Sequence, residues 1–254
     1  TDNCLQDVEM IFCGHIDTHH PTGHLIVDQG LTCSYADPFT IDIIGQGGHA
    51  ARPHEAIDAV VVGASFVTNL QTMVSRMINP AYPGVITVGR LAAGSVHNVI
   101  AGKAILEGTV RSTHPDTRKE ILQRMQGLVR GLKEMCNAEI TLRFHGGLPA
   151  VINDELSFTL AREAAQEVVG SDRVIPQGAP SLGGEDFSFY QQQIPGTMIR
   201  FGAALQEEVG PSHSSTFDFD EQVLTFGSQW LATVAIHALR YLTTRDHESL
   251  PHRK

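Results

Sequence analysis

The chain contains no block of lysine and arginine. Its 18 basic residues are outnumbered by 28 acidic ones, giving a formal net charge of -10 over 254 residues. A nucleic-acid groove or an anionic membrane surface needs a concentrated basic patch, so neither is an expected partner. No apolar run approaches the ~20 residues that span a bilayer. The opening TDNCLQDVEM has neither the basic nor the apolar region of a signal peptide. Cysteine is scarce: Cys4, Cys13, Cys33 and Cys136 form no CxxC pair. That spacing excludes a thiolate zinc knuckle or a disulfide scaffold and predicts reduced thiols in a cytoplasmic protein. There is no N-x-S/T site and no internal repeat.

Several catalytic signatures are missing as well. Without a GxSxG there is no nucleophile elbow, and HEAID lacks the second histidine of a zincin helix. GQGGHA, Gly45 to Ala50, formally matches G-x-G-x-x-A. A dinucleotide fold also needs an acidic residue about 20 positions on, for the ribose hydroxyls. Between Asp58 and Glu107 there is none, and Pro53 stands where the phosphate-binding helix should begin. The glycines are read instead as a tight bend that exposes His49.

What is present is ample apolar content, 42%, arranged in strand and helix patterns. VEMIFC predicts a buried strand running into a loop at the histidines. PFTIDIIG reads as a strand, and Glu55 to about Met77 as a helix. VITVGRLAAG and KAILEGTVRST read as two strands. HPDTRKEILQRMQGLVRGLKEMC reads as an amphipathic helix opened by Pro115 and Asp116, and AEITLRFH as a last strand. Strand, helix, strand, strand, helix, strand is the split βαβ, ferredoxin-like order. Beyond it, Asn153 is a candidate cap for a helix ending at Gly170. SLGGEDFSFY is a glycine-rich loop entering a short helix, GTMIRFGA a buried strand, and FDEQVLTF onward a long terminal helix. The first strand and these later elements are expected to share one sheet, which makes the βαββαβ unit an insertion in an α/β domain.

The stretch IFCGHIDTHHPTGH packs four histidines and an aspartate into fourteen residues. Metal ligands in α/β proteins converge from separate strand ends. His15, directly after the apolar strand, is a candidate. His19, His20 and His24 are expected to face solvent. A second candidate is His213 in GPSHSSTFDFDE.

Four ordered stretches carry a resemblance across essentially the whole chain: IFCGHIDTHHPTG, GQGGHAARPHEAIDAV, HNVIAGKAILEGTVRST, and SLGGEDFSFY followed by PSHSSTFDFDE. Together they resemble the M20 metallopeptidases, in particular the amidohydrolase branch (subfamily D) with its hippurate hydrolases, indole-acetyl-amino-acid hydrolases and N-acyl-amino-acid deacylases. The resemblance implies a zinc-peptidase-like, three-layer αβα catalytic domain over residues 1–36 and 147–254, with a ferredoxin-like lid and dimerisation domain inserted at 37–146. It implies a homodimer acting on N-acyl amino acids with two divalent metal ions, Zn or Mn, Co or Ni. It makes His15 and His213 metal ligands and His49 the residue that reaches a partner's active site as oxyanion donor. Asn98 and Arg111 would hold the substrate carboxylate, and Glu185 with Asp186 would lie near the metals, Glu185 as a substrate-binding group.

The resemblance also implies further ligands and a general-base glutamate in Cys-Gly-His-Asp-Gly-His and Pro-Ala-Glu-Glu types of segment. Neither type occurs in these 254 residues. The expectation is therefore a C-terminal portion of such an enzyme, lacking the N-terminal half of its catalytic domain and inactive by itself. The alternative is a non-catalytic dimerisation or carboxylate-binding module.

Overall fold

The apolar run near the start of the chain becomes a longer strand than its hydrophobic residues mark. Strand β1 is Ile11–Pro21, so His15, His19 and His20 lie within a strand, where a loop was expected after Cys13. The reason lies in the partner: a strand at Gly196–Ala204 pairs with it in parallel, Ile11 opposite Gly196 through Asp17 opposite Gly202, and the ladder becomes irregular only between Asp17 and Pro21. Backbone pairing is indifferent to the polarity of the side chains it carries.

The computed structural model describes residues 3–207 and 209–249. They form two compact units, the first drawn from residues 3–32, 151–180 and 186–249, the second of Cys33–Ala150 and Ser181–Glu185. After β1 come β2 (Leu25–Ile26) and β3 (Gly30–Cys33). The second unit then supplies β4 (Tyr35–Ile44), β5 (Gly48–His49), α1 (Ala59–Met77), β6 (Gly84–Ala93), β7 (Val99–Ile100), β8 (Lys103–Ser112), α2 (Pro115–Cys136) and β9 (Glu139–Phe144). The chain returns as β10 (Val151–Asn153), α3 (Glu155–Val169), β11 (Val174–Ile175), α4 (Phe187–Gln191), β12 (Gly196–Ala204) and α5 (Val223–Ser249). Among the described residues no helix is long and apolar enough to cross a membrane.

In the first unit the sheet order is β1-β12-β2-β11, with α3 and α5 packed against it. Trp230 is fully buried, donates its indole N–H to Ala161 O at 3.0 Å, and meets Phe201 edge-on at 5.6 Å. Gly14 makes room for Phe201: a β-carbon there would lie 2.1 Å from the ring. The helix α3 is capped by Asp154, whose carboxylate accepts from Ser157 N, and not by Asn153. Asn153 is buried and does something else: its amide donates to Asp28 O and Met198 O and accepts from Met198 N, which satisfies three backbone groups, two of them on β12.

In the second unit the sheet order is β6-β8-β4-β9, every neighbour antiparallel. Strand alternation sends Phe39, Ile41 and Ile43 to one face, where Phe66 and Leu70 of α1 and Ile121 and Met125 of α2 cover them. Asp58 caps α1 by accepting from Val60 N and Val61 N, and Pro115 opens α2 with His114 as its cap. The element order is the one read from the sequence, with the small β5–β7 pair added. Asp37, buried at the start of β4, takes a two-pronged hydrogen bond from Arg118 of α2 at 2.7 and 2.6 Å. That contact raises the affinity of Arg118 for its proton despite the opposing effect of burial.

Among the described residues β1 has no neighbouring strand on its outer side. Beside it a groove of about 640 Å³ is lined by Val8, Met10, Phe12, Ala235, Ala238 and Leu239. An open strand edge next to apolar surface promotes self-association. Leu239 is 64% exposed, so Leu239→Glu removes apolar contact area without opening a cavity. The expected outcome is weaker concentration-dependent association in sedimentation velocity with a thermal midpoint close to that of the parent. Unchanged association would place the sticky surface elsewhere.

Candidate functional site

The candidate residues fall into three clusters, one in the first unit and two in the second. In the first, β1 presents His15 opposite Arg200 of β12. His15 is exposed, and its Nδ1 lies 2.7 Å from Ile16 O. A carbonyl can only accept, so Nδ1 carries the proton and Nε2 is the nitrogen able to ligate a metal. His213 sits between Gly210 and Phe217, which bridge to each other, and adopts a left-handed φ of 69°. The segment leading into it borders a cavity of about 500 Å³ that Thr18 and His19 line from the β1 side.

Asp17 is the buried hub of this region. Its Oδ1 accepts from His19 N at 2.8 Å and His19 Nδ1 at 3.0 Å. Arg200 Nη1 stands 3.8 Å from Oδ2, and His20 Nδ1 3.5 Å from it without hydrogen-bond geometry. Burial by itself would raise the Asp17 pKa. The hydrogen bonds from His19 and the charges of His20 and Arg200 outweigh it, and the carboxyl is held below its ordinary value. Arg200 is braced in turn: its Nε donates to Gln177 Oε1 at 3.0 Å, and Gln177 N donates to Asp28 Oδ2 at 2.9 Å. None of Arg200, Gln177 and Asp28 was singled out from the sequence. A lone arginine inside the apolar run GTMIRFGA was the available signal, since a buried cation needs a partner.

In the second unit His49 and Asn98 come together. His49 pairs with Val99 across β5 and β7, and Ala50 N donates to Asn98 O at 3.3 Å. Both residues are exposed. Ala51 N donates to His49 Nδ1 at 3.0 Å, which leaves Nε2 to carry the ring proton as a donor.

Arg111 lies elsewhere. It is half-buried on β8, opposite Ala36 and Val85. Its guanidinium rests against the loop Ser181–Glu185, which is tied down by Ser34 N to Ser181 O at 2.9 Å and Ser34 Oγ to Leu182 O at 2.9 Å. A β-carbon on Gly184 would come within 2.9 Å of Arg111 Nη1 and 2.8 Å of Leu148 Cδ1, so a larger residue there would have to displace the guanidinium. Glu185, half-buried, ends this loop, and exposed Asp186 begins the approach to α4.

The expected pairing of Asn98 with Arg111 on one carboxylate is not what the structure places together. Asn98 precedes the first residue of β8 and Arg111 is close to its last. At about 3.3 Å per residue the strand carries Arg111 roughly 25 Å from Lys103, the end nearer Asn98 in the chain. The residues also do not fit a two-metal centre by themselves: among those described, no group of three or more His, Cys, Asp or Glu side chains is arranged to hold a metal ion.

Residues 7–237 match the family model described as Peptidase family M20/M25/M40. The chain belongs to peptidase family M20. Similar family relatives include YhaA of Bacillus subtilis (strain 168), named as an amidohydrolase, at 36% identity over 237 residues. The N-acetyldiaminopimelate deacetylase of Anoxybacillus flavithermus (strain DSM 21510 / WK1) is 34% identical over 244 residues, covering 95% of this chain and 61% of its own. An N-acetylcysteine deacetylase of Bacillus subtilis (strain 168) is 34% identical over 235 residues. Among solved structures, an aminohydrolase from methicillin-resistant Staphylococcus aureus superposes with a TM-score of 0.80 at 30% identity. The YXEP protein of Bacillus subtilis, described as a dinuclear metal binding peptidase from the M20 family, does so with a TM-score of 0.74 at 29% identity. YhaA is matched over 92% of this chain but 60% of its own length, and the S. aureus structure over 92% and 60%. The M20 chain thus spans about three fifths of the curated relatives it matches.

The lowered Asp17 pKa sets a direction for stability. A carboxyl depressed in the folded state contributes above its unfolded value of about 3.9 and loses that contribution as pH falls through the folded value. Asp17→Asn is expected to cost about 1–3 kcal/mol at pH 7, from charged hydrogen bonds lost in a buried place. Below about pH 4 the gap to the parent should shrink. Circular dichroism melts across this range check it; a gap that stays constant with pH would show that Asp17 does not titrate out of the fold.

Proposed function

We propose that this chain is part of an amidohydrolase of the M20 family that removes acyl or aroyl groups from N-acyl amino acids in the cytoplasm, within subfamily D. The observation that carries the reading is the 34% identity, over nearly the whole chain, with a deacetylase of N-acetyldiaminopimelate and one of N-acetylcysteine. The arrangement of the chain's own groups supports it. Arg111, seated against Gly184 and next to the loop that ends in Glu185, is a guanidinium suited to hold the carboxylate of the amino acid part in a two-pronged contact. His49, with its proton on Nε2, is a donor suited to the oxygen that gains charge when an amide carbonyl is attacked. His15 and His213 are the imidazoles that would ligate Zn, Mn, Co or Ni.

The finer domain reading belongs to the same proposal. Residues 37–146 act as a ferredoxin-like lid and dimerisation domain inserted in a zinc-peptidase-like domain. Because His49 and Asn98 share one end of the sheet and Arg111 the other, a single ligand meets both only when two protomers contribute. His49 and Asn98 then come from one chain and Arg111 from its partner.

In a complete family protein a bound metal would supply activation of water toward the amide, and holding it would need ligands beyond His15 and His213. This polypeptide alone should therefore be without turnover. A second reading, a dimerising carboxylate-binding module without chemistry, is favoured by the contrast between the seated Arg111 and the lack of a three-ligand group among the described residues.

Elemental analysis of the purified chain should find less than two metal ions per chain, and a hippurate hydrolysis assay no rate above the blank. Two ions with turnover would overturn the expectation of inactivity, and turnover alone would dismiss the module reading. Calorimetry separates the role of Arg111. Arg111→Ala should weaken binding of hippurate by about 10- to 100-fold, as expected for loss of charged hydrogen bonds, and leave the corresponding amide, which has no carboxylate, nearly unaffected. Gly184→Ala, which crowds the guanidinium, should reproduce part of that loss. Equal losses for acid and amide would remove the carboxylate clamp from the proposal.

A further inference from the structure

We propose that His19 is a further ligand-contacting residue of the first unit, presenting Nε2 as a hydrogen-bond acceptor to the amide N–H of an N-acyl amino acid, with Asp17 as its positioning residue. The inference rests on the amidohydrolase reading above. It starts from a tautomer. A carboxylate only accepts, and Asp17 Oδ1 takes both the backbone N–H and the ring Nδ1 of His19, at 2.8 and 3.0 Å. The proton is thereby on Nδ1, and Nε2 carries a lone pair.

The support behind that imidazole is deep. Asp17 is 8% exposed while the His19 side chain is 86% exposed, so a fixed acceptor holds a ring whose outer edge is open. Arg200, Gln177 and Asp28 continue the chain of contacts from β1 through β12 to the segment after β11. A hydrogen-bonded support of this kind fixes ring orientation and tautomer.

His19 also faces a space of the right character. With Thr18 it lines a cavity of about 500 Å³ whose wall also holds Leu205, Val209 and Pro211 beside the carboxylate of Glu207. The three apolar side chains suit an acyl group, and the bare Nε2 suits the N–H beside it. The adjoining Ser212 leads directly into His213, so the cavity abuts a candidate ligand of the proposed reaction.

The test uses the full chain labelled with ¹⁵N in its histidine rings and N-acetyl-L-methionine as probe. In the free protein the His19 ring should be protonated at Nδ1 alone, and Asp17→Asn should convert it to a mixture of tautomers. On titration the His19 Nε2 resonance should move. His19→Ala and Asp17→Asn should each weaken binding by roughly three- to tenfold, the size of one hydrogen bond. For the N-methylated probe, which has no N–H, the parent and His19→Ala should bind alike. If His19→Ala weakens both probes equally, the acceptor role is overturned. If the probe moves the rings of His15 or His213 and leaves His19 untouched, the amidohydrolase reading stands and this inference falls. If no ring responds, this inference falls as well, while the amidohydrolase reading is decided by the metal and hydrolysis assays above.

Discussion

The parallel pairing of β1 with β12 is the constraint on which the first unit depends. It joins a strand near the beginning of the chain to one near the end, in continuous register from Ile11 and Gly196 to Asp17 and Gly202. Everything proposed for this unit is aligned by that ladder. It sets His15 beside Arg200, brings Asp17 within reach of the guanidinium, and carries β12 on toward the segment that ends in His213. The pairing is possible because Gly14 leaves space for Phe201 and because Asn153 satisfies both backbone groups of Met198. Each of these is a local solution to a problem that the long-range pairing creates.

The second unit is organised by alternation along strands, and for that reason its layout was largely legible in the sequence. Phe39, Ile41 and Ile43 announce a buried face two residues at a time, and Ile121, Met125 and Leu132 announce a helix face. Start signals such as Pro115 with Asp116 depend only on nearby residues and could be read directly. The histidine cluster could not. Its strand character comes from backbone partners at residues 196–202, and no local pattern in IDTHHP records them. The choice between Asn153 and Asp154 as the helix cap was equally hidden, since both side chains can accept from a helix N-terminus. Only the tertiary position of Met198 decides which one is diverted.

The site residues show the same division. Resemblance named His15, His49, Asn98, Arg111, Glu185 and His213 but carried no distances. Geometry regrouped them: His49 with Asn98, Arg111 with the loop ending in Glu185, and His15 opposite Arg200, a residue outside every motif that pairs with Asp17. That pairing answers a general requirement. An arginine within a nearly dry strand must find anions and acceptors, and Asp17, Gln177 and Asp28 are recruited in sequence to supply them.

The length of β8 has a mechanical meaning. A ten-residue strand bonded on both sides is a stiff strut, and no rotation of side chains shortens it. Groups seated at its two ends are therefore held at a fixed separation for as long as the sheet stays paired, and only loss of the sheet itself would let them approach.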